Sequence, residues 1–515
     1  MDVTQPLHRA IQLVPDRPLT VQGDRVRTVA ESGDRIARFA GALRTLGVED
    51  GDRVAMLSLN SDVFHEVLLA VPWAGGVIVP VNFRWSPAEI AYSLEECGVK
   101  VLIVDDMFLG LIDPVRALYP GLTAVIHSGE KTETSGALDY ETLVRDTEPV
   151  EDARRGGADL FGIFYTGGTT GSPKGVTLTH DNMMTSGFGS VATGEFASPF
   201  GRLMHAAPMF HLADIASWMG GMLVNSTHVF VPAFTPAGAL KTLAEQKVTD
   251  VLLVPTMIQM LVDAPEARDY DLSGLTHIIY GASPMSPAVL DRARALFSNA
   301  TFMQAYGMTE LAPVATVLLM ADHEHPVHRS SAGRAAPHTE VRVVDENDFE
   351  VPRGTVGEIV VRGGATMVGY WNRPEDTAEA LRGGWMHTGD GGYMDDESYV
   401  FVVDRIKDMI ITGGENVYSI EVENAISKHP SIATCAVIGL PDEKWGERVH
   451  AVVVLQPGTS LTLEEVQELA REQIAGYKIP RSISFLDALP MSAQGKVLKR
   501  DLRAAHAEAA AGVPS

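Results

Sequence analysis

Cysteine is scarce in this sequence, with only Cys97 and Cys435 among its 515 residues. Two cysteines exclude a disulfide framework, and neither lies in the spacing of a metal-binding cluster. We expect both to be core thiols in a reducing cytosol. The first residues also lack the basic and apolar regions of a signal peptide, so the sequence predicts a cytoplasmic location.

Positive charge is also in short supply, because 41 Lys and Arg face 66 Asp and Glu, which gives a net charge of −25. This balance repels nucleic acid and anionic lipid, so neither is expected as a partner. Long apolar runs are missing too. The longest, residues 67–81, contains two prolines and two glycines, and it predicts a helix, a turn and a buried strand rather than a transmembrane segment.

The sequence does contain a segment rich in glycine and hydroxyl groups, Tyr165-Thr-Gly-Gly-Thr-Thr-Gly-Ser-Pro-Lys-Gly175, directly after an apolar run. Glycines let consecutive backbone N–H groups turn toward an anion. The hydroxyls and Lys174 add donors and charge, which is typical of a polyphosphate site. The segment differs from a mononucleotide P-loop, which needs Ser or Thr after the lysine where this chain has Gly175. A mobile surface turn is the alternative.

Strand and helix patterns alternate over the first third and again over residues 226–303, which predicts mostly parallel, doubly wound sheets. Ser86 and Glu89 form a predicted capping box, and Gly98 ends that helix. After about residue 330, short Val- and Gly-rich segments predict a small β-barrel. After Val403, the order hairpin, helix, two strands, helix and strand predicts a small α+β domain, with a capping box at Thr462.

Six motifs in a fixed order identify a resemblance to a known family. They are Tyr165–Gly175, Gln304-Ala-Tyr-Gly-Met-Thr-Glu310, His387-Thr-Gly-Asp390, Asp404-Arg-Ile-Lys-Asp408, Gly413-Gly-Glu-Asn416 and Gln494-Gly-Lys496. Over roughly residues 20–505 they resemble the adenylate-forming superfamily of acyl- and aryl-CoA ligases, luciferases and peptide-synthetase adenylation domains. The chain looks closest to bacterial AMP-forming acyl-CoA synthetases. Many relatives have Ser where Gly167 or Gly168 stands, and a backbone N–H can replace the lost hydroxyl.

The resemblance implies an α/β enzyme with two domains. Residues 1–405 would form the large adenylation domain of doubly wound sheets plus the small barrel. Residues 406–515 would form a small mobile α+β lid that rotates about a hinge near Lys407. The implied reaction activates a carboxylic acid with ATP to an acyl-adenylate, releases pyrophosphate, and passes the acyl group to CoA. The expected cofactors are therefore ATP, Mg²⁺ and CoA.

The resemblance also assigns a nucleotide site. Thr166 and Thr309 would contact phosphates, and Asp390 would accept both ribose hydroxyls with help from Arg405. Glu310 would be the Mg²⁺ ligand, although a solvated surface acid is the alternative. The remaining assigned residues are Gly167, Gly168, Thr169, Thr170, Lys174, Gly281, Ala282, Ser283, Tyr306 (stacked on adenine), Gly307, Met308 and the loop residue Lys496.

Two assigned residues separate the two half-reactions. Lys496 would bridge the substrate carboxylate and the α-phosphate during adenylation, and it would then leave when the lid rotates. Gly414, in the predicted hairpin, would let the pantetheine arm of CoA pass. An exposed lysine with no role is the alternative for Lys496.

The acyl pocket is predicted from the segment His205-Ala-Ala-Pro-Met-Phe-His211. We place His211, Asp214, Tyr280 and Met303 in or near the pocket, with His211 between the acid and the thiol tunnel. Amino-acid-activating relatives carry Asp where this chain has Leu212, which argues against a free amino acid as substrate. A plainly packed histidine is the alternative for His211.

Asp214 stands in an otherwise apolar stretch, three residues after His211. If the stretch is helical, this spacing puts both side chains on one face, toward the acyl pocket. A carboxylate in an apolar wall needs a partner or loses its charge. That partner is either a protein group, such as a backbone N–H, an arginine or His211, or a polar group on the substrate or an amine acceptor.

Three other functions compete with an acid:CoA ligase. An amide synthetase shares the adenylation half and passes the acyl group to an amine, and the motifs do not separate the two. A non-catalytic nucleotide-binding protein is disfavoured because Lys496, Glu310 and Asp390 are all present. Nothing specific points to a luciferase-like oxygenase. The oligomeric state and the acid itself are not predicted.

Overall fold

The structure, a computed structural model, describes residues 1–131, 136–166, 173–283, 285–413, 415–442, 444–491 and 497–511. For residues 407, 416 and 507–511 it describes only the backbone. The chain divides into two compact units. The first is Met1–Val341 with Val361–Met386, and the second is Arg342–Val360 with His387–Ser515. The predicted lid boundary at 405/406 differs from this division and stays a prediction.

The α-helices follow in chain order. They are α1 Gln5–Leu13, α2 Val29–Thr45, α3 Asp62–Trp73, α4 Pro87–Cys97, α5 Ile112–Leu118, α6 Tyr140–Asp146, α7 His180–Val191, α8 Leu212–Leu223, α9 Pro236–Glu245, α10 Pro255–Asp263, α11 Pro287–Leu296, α12 Pro374–Ala380, α13 Ser419–Ile426, α14 Leu463–Arg471 and α15 Lys499–Ala511. Short 3₁₀ helices span Leu109–Leu111, Pro265–Asp269, Thr309–Leu311, Met320–Glu324, His328–Ser330, Arg382–Gly384, Ile406–Asp408 and Gly476–Lys478.

The strands are numbered in the same way. They are β1 Pro18–Gln22, β2 Arg25–Thr28, β3 Arg53–Leu57, β4 Val77–Pro80, β5 Val101–Val104, β6 Ala124–His127, β7 Leu138–Asp139, β8 Leu160–Thr166, β9 Lys174–Thr179, β10 Arg202–His205, β11 Thr227–Phe230, β12 Asp250–Leu253, β13 His277–Gly281, β14 Thr301–Tyr306, β15 Thr316–Leu318, β16 Arg334–Ala335, β17 Thr339–Val344, β18 Gly357–Gly363, β19 Gly369–Tyr370, β20 Met386–Met394, β21 Val400–Arg405, β22 Ile410–Thr412, β23 Glu415–Val417, β24 Ile432–Asp442, β25 Gly446–Leu455 and β26 Ser482–Phe485.

The first unit contains two large sheets, as the alternating pattern predicts. One has nine strands in the order β16-β15-β14-β13-β12-β10-β11-β1-β2, and its central pairs are parallel. The other has eight strands in the order β19-β9-β8-β4-β3-β5-β6-β7, with parallel pairs from β8 to β7. Non-consecutive neighbours within each sheet require helical crossovers, so the doubly wound α/β fold is confirmed.

Local signals in the sequence fix several element ends. Ser86 accepts from the backbone of Glu89 while the Glu89 side chain accepts from Ser86, so the predicted capping box is confirmed. Gly98 ends α4 with φ +62°, a left-handed conformation that glycine adopts without strain. Residues 67–81 form the end of α3, a turn and the buried strand β4, as predicted. In the part of the chain that the structure describes, no helix is long and apolar enough to cross a bilayer.

The second unit contains most of a four-stranded sheet in the order β17-β18-β20-β21. Its pairings follow an open path rather than a closed ring, so the Val- and Gly-rich segments predicted as a barrel form a sheet. The same unit contains a five-stranded sheet of β22 to β26, packed with α13 and α14 around Val422, Val449 and Val466. This is the small α+β fold that the sequence predicts, and the capping box at Thr462 is present.

Candidate active site

The glycine- and hydroxyl-rich segment, Tyr165–Gly175, joins two antiparallel strands. It is called the phosphate segment after the role predicted for it, and β8 and β9 with this segment are called the phosphate hairpin. Thr166 ends β8, Lys174 begins β9, and the two residues pair directly across the hairpin. Residues 167–172 lie outside the described residues, so the assignments of Gly167, Gly168, Thr169 and Thr170 stay predictions. The pairing of Thr166 with Lys174 brings a hydroxyl and an ammonium group to the same end of the hairpin.

The start of this segment is anchored through Tyr165. Its hydroxyl donates to Glu96 Oε2 on α4 at 2.7 Å and lies 3.1 Å from the thiol of Cys97. Burial raises the pKa of Tyr165 far above its ordinary value, so the phenol stays protonated and can keep donating. Burial also raises the pKa of Cys97, to about 12, so Cys97 is an unreactive core thiol. The strand that enters the phosphate segment is therefore held in place.

Glu310 lies in the 3₁₀ helix Thr309–Leu311 and is only 5% exposed. Its Oε1 accepts a hydrogen bond of 2.8 Å from the Tyr370 hydroxyl, and its backbone carbonyl accepts one from Met367. This burial disfavours the alternative that Glu310 is a solvated surface acid. Mg²⁺ is commonly bound by one or two carboxylates together with phosphate oxygens and water. A buried, oriented carboxylate fits such an ion.

Lys174 is positioned by two neighbours. Its ammonium group lies 2.8 Å from Asp376 Oδ1 and 5.1 Å from the centre of the Tyr370 ring. The side chains of Lys174 and Asp376 are 24% and 35% exposed, so water reaches both. Tyr370 thus contacts Glu310 with its hydroxyl and Lys174 with its ring. These contacts bring together two of the charged groups that the sequence assigns to the nucleotide site.

The residues assigned to adenine gather at the carboxyl ends of two neighbouring strands. Gly281 ends β13 and pairs with Ala305 of β14, and a Cβ atom at Gly281 would overlap the Ala305 carbonyl oxygen. Ala282 adopts φ +66°, which is uncommon for a residue with a side chain. Ser283 follows β13, Tyr306 is the last residue of β14, and Gly307, Met308 and Thr309 come after it. All five residues are half-buried. Ligands of open α/β sheets bind at this edge.

Asp390 and Arg405 form an ion pair within the second unit. They face each other across β20 and β21, and Arg405 Nε lies 2.6 Å from Asp390 Oδ1. Asp390 is 7% exposed, and its backbone N–H donates to the Thr388 hydroxyl. Arg405 thereby orients the carboxylate that is assigned to the ribose hydroxyls.

The four residues predicted for the acyl pocket do not all lie together. Met303 packs with Ala207 and Ile279 in one apolar cluster. Tyr280 packs in another, with Ile278 and Phe302, because consecutive side chains of a strand point to opposite faces of the sheet. The Tyr280 hydroxyl bonds to His323 Nε2 at 2.8 Å and to Gln304. Met303 and Tyr280 therefore lie on opposite faces, which the sequence did not predict.

His211 is the N-cap residue of α8. Its Nδ1 accepts from the backbone N–H of Ala213 at 3.2 Å, so its other ring nitrogen, Nε2, carries the proton in the neutral ring. The side chain is half-buried, and its segment begins at the end of β10. This placement allows a role beside a substrate, and that role stays a prediction.

Asp214 lies in the first turn of α8 and is completely buried. Its Oδ2 accepts the Nδ1 proton of His205 at 2.7 Å, and His205 Nε2 bonds to His228 Nδ1 at 2.8 Å. The carboxylate therefore has a protein partner, as one of the two alternatives requires. That partner is His205, nine residues earlier, rather than the backbone N–H, arginine or His211 that the spacing suggested. Burial lowers the pKa of His228 well below its ordinary value.

Sequence reasoning missed Tyr370, Asp376 and Glu96. Tyr370 and Glu310 are 60 residues apart, and no pattern in either segment indicates that they meet. The one signal present is the aromatic pair Tyr370-Trp371, preceded by a glycine and followed by Asn-Arg-Pro. Lys496 and Gly414 lie outside the described residues, and of Lys407 only the backbone, in the 3₁₀ helix Ile406–Asp408, is described.

Comparisons with known proteins identify the family of this chain. Residues 7–371 match the AMP-binding enzyme family, and residues 421–496 match the C-terminal domain of AMP-binding enzymes. A feruloyl-CoA synthase from Amycolatopsis sp is 39% identical over 509 residues, which cover 97% of each chain.

Two solved structures extend the likeness. The anthranilate CoA ligase AuaEII, in complex with anthranoyl-AMP, superposes with a TM-score of 0.92 at 25% identity, over 99% of this chain and 98% of its own. The amide bond synthetase McbA from Marinactinospora thermotolerans superposes with a TM-score of 0.88 at 27% identity, over 98% and 99%. The chain belongs to the AMP-binding, adenylate-forming enzymes.

Proposed function

We propose that this protein is an AMP-forming acid:CoA ligase. The single observation that carries the proposal is the buried Glu310 carboxylate. It accepts a hydrogen bond from Tyr370, and the ring of Tyr370 lies against the Lys174 side chain of the phosphate segment. The family match over both domains supports it, as does a feruloyl-CoA synthase relative of nearly equal length. The enzyme uses ATP, Mg²⁺ and CoA together with one carboxylic acid.

In the first half-reaction, a carboxylate oxygen of the acid bonds to the α-phosphorus of ATP. The bond from the α-phosphorus to the oxygen that bridges to the β-phosphorus breaks, and pyrophosphate leaves. Both reactants are negative, so the site must neutralise charge and hold them in line. Bound Mg²⁺ supplies part of that charge at the phosphate oxygens. Glu310 is the proposed ligand of the ion, and Thr166, Thr309 and Lys174 are the proposed phosphate contacts.

The contacts to the nucleoside are proposed residue by residue. Tyr306 is proposed to stack on adenine, with Gly281, Ala282 and Ser283 on the other face. Asp390, oriented by Arg405, is proposed to accept the ribose hydroxyls, because a carboxylate accepts them more strongly than a neutral side chain does.

In the second half-reaction, the CoA thiol attacks the acyl carbon, the thiol proton is released, and AMP leaves. The proposed lid, residues 406–515 with a hinge at Lys407, presents Lys496 for the first step. It then rotates so that Gly414 lines the path of the pantetheine arm. The assignment of Lys496 to the first step and of Gly414 to the second rests on the resemblance of the motifs.

The acid proposed for first testing is a hydroxylated aryl acid of the ferulate type. The support for this choice is that the relative at 39% identity is a feruloyl-CoA synthase. Leu212, in place of an aspartate, disfavours a free amino acid. A fatty acid is the next class to test.

An amide synthetase is the second candidate, and the likeness to the amide bond synthetase McbA supports testing it. The two functions share the first half-reaction and differ only in the acceptor. They are separated by supplying CoA or amines to an enzyme that already forms the adenylate.

The test is acid-dependent exchange of pyrophosphate into ATP across aryl, heteroaryl and fatty acids, followed by mass spectrometry of the products with CoA or amines. We expect exchange with at least one aryl acid and a thioester with CoA. Exchange in the first experiment, followed by amide products but no thioester in the second, would favour the second candidate. Binding of ATP without exchange for any acid would favour a non-catalytic nucleotide-binding protein. The matched variant Lys496→Ala should lose exchange yet still convert a supplied acyl-adenylate and CoA.

A cytosolic location remains part of the proposal. It is supported by Cys97 and Cys435, which are both free thiols and are not joined in a disulfide. Such thiols suit a reducing compartment.

A further inference from the structure

The segment from Gly369 to Asp376, called the 369–376 segment below, lies against the phosphate hairpin. Gly369 and Tyr370 form β19, which pairs antiparallel with Thr177 and Val176 of β9. The next backbone N–H, of Trp371, donates to the Gly175 carbonyl at 2.7 Å. The segment therefore begins as the edge strand of its sheet, next to β9, and its backbone contact with β9 extends to Gly175.

The same part of the chain holds Glu310 at two points. The Met367 N–H donates to the Glu310 backbone carbonyl, and the Tyr370 hydroxyl donates to its carboxylate, both at 2.8 Å. The first contact fixes the backbone of the residue, and the second fixes the rotation of its carboxylate. Since Oε1 accepts from Tyr370, the direction in which Oε2 points is also set.

The middle of the 369–376 segment is bonded to α4. The Trp371 indole N–H donates to the Glu96 carbonyl at 2.9 Å, and Arg373 pairs with Glu96 Oε1 at 3.1 Å. Glu96 is also the acceptor for Tyr165 at the start of the phosphate segment. The segment is thus hydrogen-bonded to β9 directly and is linked to β8 through Glu96, so the backbone that carries Tyr370 is held on two sides.

We propose that Tyr370 is a positioning residue that orients the Glu310 carboxylate toward the Mg²⁺ of Mg·ATP. The inference rests on the proposed function and adds a residue to it. A hydrogen-bond partner behind a metal-ligating carboxylate sets the ligand's direction, and its loss typically lowers metal affinity or activity about 10- to 100-fold. The ring of Tyr370 also lies under Lys174, so one side chain sets the spacing of two charged groups.

The test compares Tyr370→Phe with Tyr140→Phe. The first substitution removes only the hydroxyl and keeps the ring under Lys174. The second removes a tyrosine-to-glutamate hydrogen bond of nearly the same length, 2.7 Å, to Glu66 Oε2, a carboxylate with no proposed metal role and no contact with the 369–376 segment. A purely structural hydrogen bond predicts similar small losses of stability for the two variants and no change in Mg²⁺ dependence.

Two readouts are used, and the first needs no turnover. Calorimetry measures ATP affinity with and without Mg²⁺. We expect Tyr370→Phe to lower the gain in ATP affinity that Mg²⁺ provides, by about tenfold, and to leave the affinity measured without Mg²⁺ unchanged. Tyr140→Phe should match wild type in both conditions. In acid-dependent exchange, the Mg²⁺ concentration for half-maximal rate should rise about tenfold for Tyr370→Phe alone.

Wild-type Mg²⁺ dependence in Tyr370→Phe, in both readouts, would overturn the proposal. An equal loss of ATP affinity with and without Mg²⁺ would also overturn it, because it would place Tyr370 at the nucleotide rather than at the ion. Failure of wild type to exchange pyrophosphate with any acid would instead count against the proposed function, and the calorimetric comparison would still decide the role of Tyr370.

Discussion

Glu310 and Asp214 are two acidic residues of the first unit that the sequence assigned to the site, and their surroundings differ. Both are buried, at 5% and 0% exposed. Glu310 follows the end of β14 and accepts from a tyrosine on another segment. Asp214 lies inside a helix against a sheet and accepts from His205, which in turn bonds to His228. Burial alone therefore does not mark a carboxylate as a candidate metal ligand. Glu310 differs from Asp214 in that it contacts Tyr370, whose strand β19 pairs with β9.

The largest expected effect is that of Glu310→Gln on adenylation. The amide keeps an oxygen that can accept from Tyr370, so the packing is retained while the charge is lost. Because that charge acts on the triphosphate and its ion, we expect the exchange rate to fall about 100- to 1,000-fold. The melting temperature should stay within about 2 °C of wild type. An exchange rate within threefold of wild type would remove Glu310 from the site.

Asp214→Ala should lower the stability of the protein without a selective loss of activity, which is the opposite of Glu310→Gln. It leaves His205 without its acceptor in a fully buried place, which costs about 2–3 kcal/mol of unfolding free energy. Chemical denaturation measures this loss, and the rate per folded molecule should change equally for fatty acids, hydroxylated aryl acids and amine acceptors. A selective loss for one acid or acceptor class, at unchanged stability, would return Asp214 to the substrate site.

The histidines around Asp214 also predict how stability depends on pH. Burial, followed by the proximity of His205, lowers the pKa of His65 from 6.5 to about 3. As pH falls below 6.5, the unfolded chain takes up a proton at His65 that the folded chain does not. Stability is therefore lost between pH 6.5 and 3, at about 1.4 kcal/mol per pH unit for such a histidine. Denaturation curves at pH 7 and pH 5 measure this, and equal stability at the two values would contradict it.

The smallest expected effect is that of Asp376→Asn. With Lys174 as the proposed phosphate contact, Asp376 would compete with phosphate for its ammonium group, and a pair as exposed as this one contributes at most about 1 kcal/mol. ATP measured without Mg²⁺ should bind about two- to fivefold more tightly to the variant. Asp291→Asn, which breaks a pair with Arg329 elsewhere in the first unit, is the control and should leave ATP binding unchanged. Weaker ATP binding in Asp376→Asn would mean that Asp376 supports Lys174 rather than competing for it.

Features set by neighbouring residues could be predicted from the sequence. The capping box of Ser86 and Glu89 and the end of α4 at Gly98 depend on contacts within about one helical turn of each end. The alternation of strands and helices likewise indicated doubly wound sheets. The six motifs added the family, because their spacing along the chain does not require knowledge of which segments meet.

Contacts between distant segments could not be predicted in this way. Tyr370 reaches Glu310 only because β19 pairs with β9, and that pairing is not visible in either strand alone. The partner of Asp214 lies at the end of β10, so the i,i+3 rule along one helix did not find it. Met303 and Tyr280 were assigned to one pocket, but the register of β13 and β14 puts them on opposite faces of the sheet.

The most direct test of the central claim follows an oxygen atom. An aryl acid that supports exchange is labelled with ¹⁸O in both carboxylate oxygens and is converted with ATP, Mg²⁺ and CoA. Attack of the carboxylate on the α-phosphorus, then of the thiol on the acyl carbon, predicts one ¹⁸O in the phosphate of AMP and one in the thioester carbonyl. Unlabelled AMP, or ¹⁸O in inorganic phosphate with ADP as the product, would contradict an acyl-adenylate mechanism.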